Sequence, residues 1–367
     1  MSGAVKTVKD DAKSGATNVA TMTYVQAGNV ALAQAMREDP RVVALGEDVG
    51  RGGIFGQYAG LQAEFGGDRV IDTPISESTI VGAAVGMALT GLKPVVEMRV
   101  MDFALCAMDE IVNQAAKNRF MFGGQGRVPM VIRMPIGIWS ASAAQHSQSL
   151  EAWFAHVPGL VVVAPATPQD HHGLLRASID CGDPVAYLEH KELWGTSGEV
   201  HTAQPVPLGR ANVVRAGGDL TIVTWSKALH WTLAAAETLA AQGVHAEVID
   251  LRTLWPWDRD AVFASAERTR RVLVVHEAVQ VAGFGAEIVA TLAEAGVARV
   301  ARLGAPRAPV GYSPGLEAQA RLSPEKIVTA AQALMRRAGP AASAKPAARD
   351  RHGGPGAADP TRVRRAL

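Results

Sequence analysis

The chain is predicted to be α/β, with two α/β domains in succession and a mostly parallel sheet in the first. Three observations lead there. Short runs of Val, Ile and Leu recur between residues 42 and 188, too uniformly apolar to have a wet face, as in strands covered on both sides. Stretches with helical spacing of apolar residues separate them. After a Pro- and Gly-marked interruption the alternation resumes over residues 220–303, repeating the strand–helix rhythm.

Each element has a local reason. Residues 1–21 mix Lys with Asp, hold no apolar core and no Arg, and read as a disordered arm lacking a signal peptide or mitochondrial presequence. Thr23 then caps a helix to about Glu38, with Val25, Val30, Leu32 and Met36 among its apolar positions. Strands are expected at 42–46, 69–71, 94–100, 129–134, 160–164 and 184–188, alternating with helices at 57–65, 78–92, 103–119, 149–156 and 168–181. These make a first domain over 22–195. Residues 196–209 read as a linker.

A second domain over 210–338 follows, with strands at 220–225, 245–250, 271–275 and 297–303 and helices at 227–242, 258–269 and 283–296. Asp258 is a suitable N-cap, and Gly243 and Gly296 fit the ends of their helices. Ser323-Pro324 opens a last helix to about Arg337. The Ala/Pro/Gly/Arg-rich tail, 339–367, lacks apolar periodicity and reads as disordered.

The totals narrow the function classes. A net charge of +1 over 367 residues argues against nucleic-acid or acidic-membrane partners held by bulk charge. The two cysteines, Cys106 and Cys181, form no CxxC pair, so a reducing, cytoplasmic setting is expected and a thiolate metal site is not. The longest apolar run, Ile80 to Leu89, is too short to span a bilayer.

The chemistry gathers around Asp72-Thr73-Pro74-Ile75-Ser76-Glu77-Ser78. A strand leads into a turn, and Glu77 heads a helix with Gly82 and Gly86 on one face, open to close packing. At the edge of a low-dielectric region a carboxyl group has a raised pKa unless a partner shares its proton. A second reading stands beside the catalytic one: Ser76 caps the helix and Glu77 complements its dipole.

Other segments are less pointed. Residues 45–56 follow a strand as a phosphate loop would, but lack GxGxxG spacing and carry Glu47 and Asp48, so acidic side chains delivered to a site fit better than phosphate. His276-Glu277 through Gly285 has the wrong spacing for a dinucleotide. His146 lies in a small-residue loop after a strand, among Gln145, Ser147 and Gln148, which could orient its ring for proton transfer. Phe103, at another strand's carboxyl end, is either a core residue or the wall of a ring-shaped ligand. His171, His172 and His190 read as surface or strand-end residues.

Taken together, LGEDVG, RVIDTPISES, GAAVGMALTGLKPVVE, MDEIVNQAAK, QHSQSLEAWFAHVPGL and EVIDLRTLWPWD resemble one family. It is the beta subunit of the thiamine-diphosphate-dependent decarboxylating component of 2-oxo acid (pyruvate or branched-chain) and acetoin dehydrogenase complexes. The resemblance runs from about residue 22 to 335 with motif order preserved. It implies a pyrimidine-binding, transketolase-like domain followed by a transketolase C-terminal-type domain, in an α2β2 heterotetramer with cofactor between alpha and beta subunits. Acyl units would pass to lipoamide on an acyltransferase core.

By the same resemblance Glu77 hydrogen-bonds the cofactor's aminopyrimidine, Phe103 packs on that ring, Ile75 lies beside it, and His146 handles protons or orients the lipoyl group. A potassium site (K+) maps to Met130, Ser178, Ile179, Cys181 and Asp183, with Cys181 in place of the usual Asp. Arg99 departs from the uncharged residue of relatives and either points away or meets an anionic substrate group. The family's Gly-Asp-Gly and its paired Asn, which hold Mg2+ and diphosphate, have no counterpart in the sequence. That half of the site is expected from the alpha subunit. Rival readings are a split transketolase subunit and a non-catalytic docking subunit.

Overall fold

The computed structural model describes residues 19–336. The first part of the chain runs β1 (Val19–Thr23), α1 (Tyr24–Glu38), β2 (Val42–Gly46), α2 (Leu61–Phe65), β3 (Val70–Asp72), α3 (Glu77–Leu89), β4 (Lys93–Glu97), α4 (Asn118–Met121), β5 (Val131–Ile136), α5 (Glu151–Ala155), β6 (Val161–Val163), α6 (Pro168–Asp180), β7 (Val185–His190) and β8 (Ser197–His201). The second runs β9 (Asn212–Arg215), β10 (Leu220–Thr224), α7 (Lys227–Ala241), β11 (Ala246–Asp250), β12 (Thr253–Trp255), α8 (Arg259–Thr269), β13 (Arg271–Val279), α9 (Gly285–Glu294), β14 (Arg299–Ala305), α10 (Pro314–Ala320) and α11 (Pro324–Arg336).

Two α/β sheets organise these elements. The larger has the order β12-β6-β7-β5-β4-β2-β3 and is parallel except for β12. Its alternating residues serve two cores. Val42, Ala44, Val95, Val131 and Val185 pack with α1 and α6, while Leu45, Val96, Ile132, Met134 and Leu188 pack with α3. The smaller sheet has the order β14-β13-β10-β11-β9 and is parallel except for β9. One of its faces carries α7 and α11; the other carries α8 and α9 and shares a continuous apolar cluster with the first sheet.

Several local expectations hold. Thr23 and Gln26 form a reciprocal capping box at α1, and the Asp258 carboxylate accepts from the Ala261 N–H. Others need correction. The end of the arm expected over 1–21 belongs to strand β1, residues 19–23, which pairs antiparallel with β8, inside the stretch read as a linker. Backbone pairing between distant segments leaves no local apolar signature. Residues 1–18 and the tail expected from 339 lie outside the described residues.

The helix expected over 103–119 divides. Met101–Ala107 is a 3-10 helix whose buried Met101, Ala104 and Ala107 recur every third residue, the period of that helix. Glu110–Ala115 is a π-helix. Helix 57–65 shrinks to α2, because Gly60 at φ +80° interrupts it. Strand β12 joins the first sheet from beyond its expected domain boundary. His171 and His172 are buried rather than on the surface: His171 stacks on Tyr24, with ring centroids 4.1 Å apart, and His172 meets Gln34 at 2.9 Å.

Candidate active site

The site forms where the carboxyl ends of parallel strands release their loops. A cavity of about 270 Å³ opens there, lined by Arg99, Phe103, His146 and Lys191 among others. Two sequence-nominated residues meet in it: Phe103 and His146 stand edge to face, centroids 5.3 Å apart. An aromatic wall of Phe55, Trp139 and Trp194 completes it, with Phe55 stacked on Trp194 at 3.9 Å.

Glu77 sits half-buried in the first turn of α3. Ser76 does not cap the backbone; its hydroxyl turns to Thr79 Oγ1 at 2.8 Å. Glu77 does not line the cavity, but α3 packs against the segment carrying Phe103. Glu47 links the two regions electrostatically. Burial pushes its carboxyl above the usual range, Arg99 opposes this, and the nearby Glu77 and Asp48 add to it. Arg99, held at φ +51°, is ion-paired with Asp48 and also lines the cavity. Among the described residues the outer side stays uncovered: Ile75 is 79% exposed, and beyond the backbone of α3 itself nothing lies within 4 Å of where a Cβ on Gly86 would stand.

The His146 loop is held by contacts that spacing did not reveal. Of the expected orienting neighbours, Gln148 reaches Asp102 instead, at 2.7 Å, and the Ser147 hydroxyl is buried without a partner among the described residues. Glu277, at the end of β13, accepts a short hydrogen bond from His190 and another from the Ile138 N–H at 3.2 Å. Burial by itself would raise the Glu277 carboxyl; the His190 contact, the Ile138 N–H and Arg321 together hold it below its usual range. Gly137, at φ +91°, allows this approach, since a Cβ there would lie 2.0 Å from His190 Nε2.

Comparison with known proteins identifies the family. The chain matches the models of the transketolase pyrimidine-binding domain over residues 20–196 and of the transketolase C-terminal domain over 209–327. It is 44% identical over 327 residues to the acetoin:2,6-dichlorophenolindophenol oxidoreductase subunit beta of Cupriavidus necator, covering 84% of this chain and 96% of that protein. It is 40% identical over 324 residues to the 2-oxoisovalerate dehydrogenase subunit beta of Bacillus subtilis, covering 86% and 99%. The chain belongs to this family of dehydrogenase beta subunits.

A solved structure described as a split gene transketolase, inactive beta4 tetramer, shares the beta subunit's fold, with a TM-score of 0.73 and 22% identity over 86% of this chain and 98% of that one.

In the beta subunit the set Met130, Ser178, Ile179, Cys181 and Asp183 gathers around the C-terminal end of α6 and the start of β7, and its groups are largely engaged. The Met130 carbonyl accepts from the Val185 N–H at 2.9 Å, the Cys181 thiol donates to the Asp183 carbonyl at 3.3 Å, and Arg119 pairs with the Asp183 carboxylate. Burial pushes the Cys181 thiol up to about 11. Within the set the Ser178 hydroxyl is buried and has no partner among the described residues. Among the described residues no cluster of three His, Cys, Asp or Glu is arranged to hold a metal ion, and no helix is long and apolar enough to cross a membrane.

Proposed function

We propose that this beta subunit supplies the pyrimidine-activating half of a shared active site in a thiamine-diphosphate-dependent 2-oxo acid or acetoin dehydrogenase. The observation that carries the reading is the meeting of Phe103 and His146 in one cavity beside the first turn of α3, with the Glu77 side of that site left open. The residues fit an aminopyrimidine: Phe103 offers an aromatic ring, Ile75 an exposed apolar side chain, and Glu77 a carboxylate that accepts no hydrogen bond among the described residues. Thiamine diphosphate held beside Phe103, Ile75 and Glu77 would supply carbanion chemistry at the substrate carbonyl.

Glu77 holds or shares a proton at a ring nitrogen, where a carboxyl beside apolar surface acts as general acid or base. The His146 ring makes no hydrogen bond among the described residues, so both its nitrogens are available to a substrate oxygen. The aromatic wall excludes water from that oxygen. An alpha subunit would close the open side and bring Mg2+ and diphosphate in an α2β2 assembly, and a lipoyl acyltransferase core would take the acyl unit.

The test is Glu77→Gln in the pair reconstituted with the alpha subunit, assayed with lipoamide and a 2-oxo acid or acetoin. Assembly should persist while turnover falls roughly 10²- to 10⁴-fold. Unchanged turnover would leave a docking subunit, and transfer between sugar phosphates would leave a split transketolase.

A further inference from the structure

We infer that Lys191 is a positioning residue for His146, its buried ammonium clamping the main-chain carbonyl of that histidine and so setting the imidazole against Phe103. The inference rests on the reading of His146 given above and adds a residue that no motif singled out.

The loop between Gly137 and Ser149 has little structure of its own. Ser140, Ala141 and Ala143 all adopt positive φ, at 36°, 56° and 58°, conformations that L-residues keep only where surroundings impose them. The surroundings are identifiable. Ile138 N–H is held by Glu277, Ala141 N–H by Glu317 at 2.7 Å, and the Gln148 side chain by Asp102 at 2.7 Å. None of these touches residue 146.

The contact that does is a short hydrogen bond from Lys191 Nζ to the His146 carbonyl oxygen. The imidazole has no hydrogen bond of its own among the described residues, so its place follows from the backbone and from the edge-to-face contact with the Phe103 ring.

Lys191 is suited to this role. It is 3% exposed, follows β7 directly, and its neighbour His190 is locked by Glu277. Burial lowers its ammonium to about 8, and Asp102, Glu277 and Glu192 oppose that fall. The residue thus remains a charged donor near neutral pH, and a charge-assisted bond to a carbonyl is stronger than a neutral one.

The experiment uses the reconstituted alpha–beta enzyme with Lys191→Met and Lys191→Gln, each alone and combined with His146→Ala. Alone, Lys191→Met should lower kcat roughly 10- to 100-fold, the scale of a misplaced catalytic group, with KM changed less than about threefold. In the His146→Ala background it should have no further effect. Independently of turnover, the ring-current shift that Phe103 imposes on the His146 ring protons should collapse in both lysine variants, read by NMR with labelled histidine.

Multiplying losses in the double variant, or an unchanged ring-current shift in folded single variants, would overturn the inference. If His146→Ala alone leaves turnover intact, the reading of His146 fails, and the ring-current measurement still decides the role of Lys191.

Discussion

Replacing Glu277 by Ala removes a side chain through which the second sheet holds both the His146 loop and the end of β7. Glu277 is 8% exposed and His190 1% exposed, so neither orphaned donor regains water freely. Losing the charge-assisted bond from His190 costs about 1.5–3 kcal/mol, and leaving the Ile138 N–H unpaired about 1–2 kcal/mol. The sum is about 2.5–5 kcal/mol. Glu277→Gln keeps an oxygen for one donor and sets an amide against the other, so about 1–2 kcal/mol is expected.

Because the two sheets share a continuous apolar cluster, unfolding should register as one transition. At roughly 2–4 °C per kcal/mol for a domain of this order of size, the Ala variant should melt about 5–20 °C lower. Urea denaturation at fixed protein concentration gives the free energy directly. If both variants fall within about 0.5 kcal/mol of wild type, the tether between the sheets carries no stability and the argument for a rigidly supported loop fails.

Two further outcomes follow from the same structure. Glu97 hydrogen-bonds Tyr58 at 2.9 Å, and burial, opposed by Arg133 and reinforced by Glu189, lifts its carboxyl from 4.5 to about 7. Between those values the folded chain keeps a proton that the unfolded chain has lost, so stability falls as pH rises through this window. Glu97→Gln should therefore gain on wild type by about 3 kcal/mol between pH 4 and pH 8, and a pH-independent difference in urea unfolding would refute this. With Arg119 paired to Asp183 and Cys181 bonded to the Asp183 carbonyl, exchanging K+ for choline should move the melting temperature by less than about 1 °C. A shift above about 3 °C would show that the proposed cation set is a site.

Much of the architecture was legible because it is written in local periods. Apolar strands such as Val42–Gly46, and caps such as Thr23 and Asp258, announce themselves within a few residues. The candidate site was legible in part. Phe103 and His146, nominated separately, do meet, since loops leaving the carboxyl ends of parallel strands converge.

What surrounds them was settled elsewhere. Lys191 lies 45 residues from the carbonyl it holds, and Glu277 lies 139 residues from the Ile138 N–H. Arg133 and Glu189, two charges inside strands, make sense only once a bidentate pair at 2.5 and 2.9 Å is seen. The chain order of residues by itself pointed to most of the strands and helices and nominated a few side chains for chemistry. Tertiary structure alone decided which buried polar groups face each other, because a hydrogen-bond partner across the fold leaves no trace in the spacing of its neighbours.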